Sequence, residues 1–412
     1  MTLARALAAL TVASGVALAG CEEPGPAPPD LWRFTAPQVV IQRAAESFQR
    51  VVLVEGDAAR TFAVLTVTST DGMASLMVLE RVGLAWSAPT LWPRPAGITT
   101  ESIEWAASAP FPAVITRGEG PLGTALYLRV FSDNAWQAPF QVTSPGIEAP
   151  TVARIAAGPS RLHLVYGVPG GSCADGVQLR YRETDADWRR GFGAFRFVAS
   201  TCGFDSVGLA ATPMAVDGGE ARSAVMVVWT GPAPGLEDPQ VWASWSAGDG
   251  PAAFRPPFRV RSGKNSGVLV APMEGGRFLA TWLQPRSEGG QQRAVASEFS
   301  TARDLWEIPN TGWFFTNLQP FPAQAPTGGA LALGSEYDAV SSRLAARHYT
   351  SPAVPVASQT IIGTPFGRVS SHWLMVDSLG VAQAAWIESL DSGIGRVMHT
   401  TGVPVAQGQR DR

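Results

Sequence analysis

Carboxylates recur in the polar loops of this 412-residue chain: Asp71, Glu119, Asp175, Glu237 with Asp238, Glu288, Glu336 with Asp338, and Glu388 with Asp391. Gathered on one surface, they could attract a cationic partner or hold a hard cation such as Ca²⁺, which takes about six to eight oxygens. Solvated loop tips account for them equally well, because turns are polar in most proteins. No D-x-[DN]-x-[DN]-G loop is present to strengthen the metal reading, so no metal or other cofactor is assigned. Tyr166, Trp229, Trp282 and Trp386 each end a β-rich segment just ahead of such a loop. Aromatic faces flanked by carboxylates suit sugar rings, which stack on the face and hydrogen-bond at the edge. Packing between repeated units explains the same four rings.

Other signatures fail on context. Gly118-x-Gly120-x-x-Gly123 lies between two strands with no helix start to hold a pyrophosphate, which makes it a hairpin loop. His163, His348, His372 and His399 lack metal-ligand spacing, and His163 sits between Leu162 and Leu164 as a sheet residue would. No G-x-S-x-G elbow occurs. A net charge of −3 gives no positive field to recruit nucleic acid.

Residues 1–20 hold one charge, Arg5, followed by an Ala/Val/Leu run too short to cross a bilayer, as in a secretory signal. The run ends Leu18-Ala19-Gly20-Cys21, which resembles the lipobox of bacterial lipoproteins. That resemblance implies cleavage before Cys21, acylation of Cys21 and a membrane partner. Glu22 in place of a retaining Asp implies the outer membrane of a Gram-negative cell. Residues 21–30 then form a Pro-rich tether. With Cys21 committed to lipid, Cys173 and Cys202 are the remaining thiols, and an oxidising compartment favours a disulfide; two separately buried thiols are the alternative.

The elements that must position these residues follow from a repeat. Segments beginning at Thr61, Phe111, Arg161, Ser223, Arg277, Ala330 and Val381 align Thr66, Thr116, Tyr166, Trp229, Trp282, Ser335 and Trp386 in one column. The column recurs at spacings of 50, 50, 63, 53, 53 and 51 residues. Each segment is followed by a loop and a second strand with period-two alternation, which reads as a hairpin. Most hairpins are followed by an aromatic residue and a turn, at Trp86, Trp136, Trp188, Phe254 and Trp306, with a degenerate copy near Tyr349. Trp32-Arg-Phe-Thr-Ala-Pro stands unpartnered before the first hairpin, while the last hairpin ends without an outer strand. The two balance if the chain closes on itself. The sequence therefore predicts an all-β, seven-bladed β-propeller of four-stranded antiparallel blades over 31–402, with a flexible tail at 403–412. A six-bladed ring and two packed sandwiches are the alternatives. Composition agrees: 43 Gly and 33 Pro make turns frequent, and 16% charged residues argue against disorder.

This strand grammar resembles the bacterial sialidase-like and BNR-repeat propellers. Their Asp box, Ser-x-Asp-x-Gly-x-x-Trp, has its nearest counterparts in Ser132-Asp133-Asn134-Ala135-Trp136 and Thr184-Asp185-Ala186-Asp187-Trp188. The resemblance implies three arginines clamping a carboxylate, a Tyr–Glu nucleophile and an Asp acid/base. Tyr337, between Glu336 and Asp338, has the neighbours for that role; no arginine triad is assignable. Repeat symmetry without an asymmetric catalytic cluster predicts a monomeric, non-enzymatic envelope module that binds a protein or glycan. A glycosidase or lyase at the channel mouth is the alternative.

Overall fold

The structure is a computed structural model that describes residues 32–43, 47–56, 60–108, 110–171, 173–214, 222–232, 237–247, 253–285, 292–309, 321–325, 329–337, 342–349, 359–363, 368–390 and 392–405. The described strands form seven antiparallel sheets. Their innermost strands are Ser47–Glu55, Thr100–Ala107, Val152–Ala157, Ser206–Met214, Ser266–Met273, Phe321–Gln324 and Arg368–Val376 in blades one to seven. Each packs against the innermost strand of the next blade, and blade seven returns to blade one. The fold is the expected seven-bladed propeller with four strand positions per blade; the six-bladed ring and the paired sandwiches are excluded.

The second strands carry the repeat column and are buried on both faces. Arg60–Thr68 is buried from Thr61 to Val67, and Ala382–Ser389 from Ala382 to Glu388. The cause is position: a strand in mid-blade is covered above and below by neighbouring blades, so it reads as an apolar run rather than an alternation.

Outermost strands are short and often broken. Blade one pairs Ala85–Trp86 and then Thr90–Leu91 with the same third strand, and blade two repeats this with Ala135–Trp136 and Phe140–Gln141. Pro89 and Pro139 fall in the breaks, which an edge tolerates because no ladder donor is lost there. In blades three and six the aromatic marker lies outside the outer strand. Trp188 belongs to the short 3-10 turn Trp188–Arg190, and blade three ends with Arg196–Cys202. Tyr349 ends the third strand of blade six, whose outer strand is Gln359–Gly363.

The ring closes as the repeat count requires. Trp32–Phe34 and Gln38–Arg43 are the outer strands of blade seven, pairing with opposite ends of Gly395–Pro404, two residues of which extend into the expected tail. Cys173 and Cys202 form a disulfide with a Cα separation of 5.9 Å, tying the entry of the third strand of blade three to the end of its outer strand. No helix among the described residues is long and apolar enough to cross a membrane. Cys21 and the tether lie outside the described residues.

Candidate functional site

The seven innermost strands surround a central channel, and three aromatic side chains plug it. Trp105, Phe321 and Trp373, from blades two, six and seven, meet with ring centroids 4.4 to 5.3 Å apart. On one side of the plug, the ends of the innermost strands enclose a cavity of about 220 Å³ lined mostly by Ala, Leu and Pro, with few polar groups. On the other side, the early residues of those strands line a recess of about 380 Å³ that includes Arg50, Trp105, Arg154, Ser371 and His372. This second mouth opens on the face that carries the loops between second and third strands.

Backbone irregularity builds the recess. The innermost strands of blades one, two and seven each shift register near this end, between Phe48 and Arg50, Ile103 and Trp105, and Val369 and Ser371. A bulge adds a residue and turns the next side chain to a new direction. Gln49 and Ser370, both inside such shifts, line the recess. Glu104, the extra residue of blade two, is buried and pairs with Arg117 at 3.2 Å.

Two guanidinium groups dominate the electrostatics. Arg154 lies over the Trp105 ring with Cζ 4.4 Å from the centroid, and Arg50 lies 5.7 Å from the same centroid. Each donates to a backbone carbonyl, Arg154 to Ala153 at 2.8 Å and Arg50 to Ile103 at 3.1 Å. Neither makes an ion pair among the described residues, and the buried Nε of Arg154 has no hydrogen-bond partner. Loss of hydration, reinforced by the neighbouring Arg50, pulls the Arg154 pKa down to about 9, so it stays charged at neutral pH. Burial also lowers that of Arg50, against the attraction of Glu104. Glu104 attracts both guanidinium groups but is itself paired with Arg117, so positive charge is in excess here and a bound anion would relieve it.

The proposed aromatic platform is corrected. Tyr166, Trp229, Trp282 and Trp386 are all buried between blades, because the column they share lies in mid-blade. They pack the core and cannot stack on a sugar. Tyr166 donates to Glu148 at 3.1 Å, and Glu148 also pairs with Arg180 at 2.8 Å. This is a Tyr–Glu pair beside arginines, but its phenol is closed to substrate, and desolvation raises its pKa.

The acidic crown is only partly as expected. Asp71, Glu119, Asp175, Glu237 and Asp238 are exposed on the recess face. The Asp71 carboxyl is held below its usual range by hydrogen bonds from the Ser69 hydroxyl and the Met73 amide, so it serves its own turn. Glu388 is not a crown acid. It is buried, accepting from Arg396 Nε at 2.7 Å and from Trp386 Nε1 at 3.1 Å. Glu288, Asp338 and Asp391 lie outside the described residues, as do the side chains of Glu336 and Tyr337, whose backbones end the second strand of blade six. Among the described residues no group of three or more His, Cys, Asp or Glu side chains is placed to hold a metal.

Sequence reasoning missed Arg50, Trp105, Arg154 and His372 as a set, because they belong to innermost strands that the repeat did not locate. The one available signal was arginine inside an apolar β run, as in Val152-Ala-Arg-Ile-Ala-Ala.

No protein-family model matches the sequence, and no curated protein matches it. Solved structures do. A protein of unknown function from Dyadobacter fermentans superposes with a TM-score of 0.54 at 11% identity, covering 92% of this chain and all of that one. A polysaccharide lyase, an ulvan lyase bound to a glucuronate–rhamnose sulfate saccharide, gives 0.53 at 11% identity over 88% of this chain and 95% of its own. The NanB sialidase from Streptococcus pneumoniae gives 0.46 at 8% identity over 90% of this chain and 71% of its own. At these identities the likeness is one of fold.

Proposed function

We propose that this protein is a lipid-tethered propeller of the bacterial cell envelope that binds an acidic glycan, without turning it over, in the recess above the aromatic plug. The observation that carries this reading is the pair Arg50 and Arg154, enclosed beside Trp105 with no ion pair among the described residues and offset only by Glu104, which Arg117 already holds. A uronate carboxylate supplies the missing charge in a planar form that guanidinium groups hold in forked geometry, and the sugar ring gains apolar contact with the exposed part of Trp105. A recess of about 380 Å³ is within the range of small-ligand sites. Acylation of Cys21, and Glu22 as an outer-membrane signal, supply the address. Mass spectrometry of the native amino terminus tests that part, and an unmodified Cys21 removes it.

The binding claim is tested by titration calorimetry of the chain from Glu22 onward with uronate-containing and neutral oligosaccharides of equal length. Acidic saccharides bind and neutral ones do not, and Arg154→Met weakens the acidic binding about 10- to 100-fold. Equal affinity for both classes rejects the reading.

His372 favours a second reading, a lyase. It lines the same recess, where an imidazole could take the proton beside a carboxylate neutralised by Arg50 and Arg154. The electron pair of that C–H bond becomes a C=C bond as the glycosidic oxygen leaves with a proton. The unsaturated product absorbs in the ultraviolet, so its appearance on mixing with a polyuronate would establish this reading over simple binding.

A further inference from the structure

The face opposite the recess has an apolar edge at the place where the tether departs. Gly395–Pro404 starts at the recess face and runs away from it, and Trp32 pairs with Pro404 at its far end. Trp32 is buried in the core, so the departure point is fixed. Residues 22–31 are ten in number and reach about 31 Å as an extended proline-type chain, short enough to keep the disc beside the surface to which Cys21 is attached.

Exposed apolar side chains gather around this point, at the rim of a recess that also holds Glu55, Arg60, Arg81 and Asp377. Leu84 is 78% exposed in the hairpin turn between the third and outer strands of blade one, with Val82 61% exposed beside it. Leu379 is 74% exposed in the turn after the innermost strand of blade seven. Gly83 and Leu379 line one recess, so the two turns are neighbours across the seam between the blades. Val403, 49% exposed, pairs with Arg33, which is itself exposed and makes no ion pair among the described residues. Exposed leucines at adjoining turns with an unpaired arginine fit an interfacial contact, where apolar side chains enter the headgroup boundary and a cation meets anionic lipid. Such a patch is too small to hold a free protein on a bilayer. A short tether turns the contact into an intramolecular one at high effective concentration, where weak contacts suffice.

We propose that the edge formed by Leu84, Leu379, Val403 and Arg33 rests on the bilayer that anchors the chain, which turns the Arg50–Arg154 recess away from the lipid. This inference rests on the lipid-anchor reading, and its test is independent of it. The chain from Glu22 onward, which keeps every described strand, is attached through an amino-terminal histidine tag to vesicles of phosphatidylglycerol, phosphatidylethanolamine and a nickel-chelating lipid. Leu84→Cys, Leu379→Cys and, on the opposite face, Leu122→Cys carry an environment-sensitive dye on the introduced thiol. The expected result is a blue shift and quenching by brominated lipid at positions 84 and 379, and neither at 122. In the Leu84→Cys protein, Leu379→Asp with Arg33→Asp should abolish the quenching. Dyes at 84 and 379 that report water on the vesicle, or quenching equal to that at 122, overturn the proposal. Because the tag supplies the attachment, these outcomes do not depend on whether native Cys21 is acylated.

Discussion

Arg154 and Trp105 form a cation–π pair at 4.4 Å in which the cation makes no ion pair among the described residues. The pair joins blade three to blade two across the channel mouth, and its energetics set function against stability. A cation–π contact contributes about 0.5–2 kcal/mol, while an enclosed charge that is only partly compensated costs a comparable amount or more. Arg154→Met keeps an unbranched side chain over the indole and removes the charge. Its urea midpoint should equal or exceed that of the parent. Uronate affinity should fall about 10- to 100-fold, the value of one charge-assisted hydrogen-bonding group. A lower midpoint with unchanged affinity would make Arg154 a packing residue.

Closure of the ring gives the second prediction. Trp32 is among the largest fully buried side chains, and the Thr35 hydroxyl bonds Thr400 at 3.1 Å across the same seam. Trp32→Ala should cost about 3–5 kcal/mol in urea unfolding, as for other large aromatic truncations in a core. Removing residues 22–43 also uncovers the edge of Gly395–Pro404, so size-exclusion chromatography should show association absent from the parent. A monomeric, equally stable truncation would mean that the closure is dispensable.

The fold was legible because two signals agree. The column from Thr66 to Trp386 marks every second strand, and the unpartnered Trp32 segment supplies the missing outer strand. Innermost strands were illegible for a physical reason. They are bulged near the recess in blades one, two, five and seven, and face a channel that accepts Arg50 and Arg154 as readily as Val51 or Leu269. They therefore carry no common periodicity. The aromatic column misled about the site for the reason that revealed the fold: a residue repeated by symmetry is placed by packing between blades. Glu388 resembles its loop neighbours in sequence, and only the presence of Arg396 opposite it across the hairpin makes it a core residue. The candidate site lies where the symmetry fails.

The Cys173–Cys202 bridge spans 29 residues. Loop-closure entropy for that length is worth about 3–4 kcal/mol at room temperature. Cys173→Ser with Cys202→Ser should lower stability by that order, and reductant should bring the parent down to the level of the double variant. The uronate affinity of the double variant should remain that of the parent, because Arg50, Trp105 and Arg154 belong to innermost strands and the bridge ties the outer strand of blade three. Insensitivity of the parent to reductant would show that the bridge does not stabilise the native chain.

Buried histidines make the propeller acid-labile in a defined window. His163 is fully buried, with Nδ1 2.6 Å from the Tyr181 hydroxyl and Nε2 3.2 Å from that of Ser223. His399 is buried with Nε2 3.3 Å from Gln383 and its ring against Trp86. Burial, aided by Arg161 and Arg196 around His163 and by Arg81 near His399, lowers both pKa values to about 3. An unfolded histidine titrates near 6.5. Between these values the unfolded chain binds protons that the native one refuses, so stability is complete above pH 6.5 and lost as the pH falls toward 3. At pH 5 each ring should account for about 2 kcal/mol. Urea unfolding at pH 7 and pH 5 checks this with His163→Gln and His399→Gln. Whatever its stability at pH 7, each variant should lose about 2 kcal/mol less than the parent between the two pH values. Acid effects at the carboxylates and at His348 and His372 are common to all three proteins and cancel in the comparison. A loss that is the same in a variant and the parent would mean that the replaced ring is already charged in the native state, contrary to its burial.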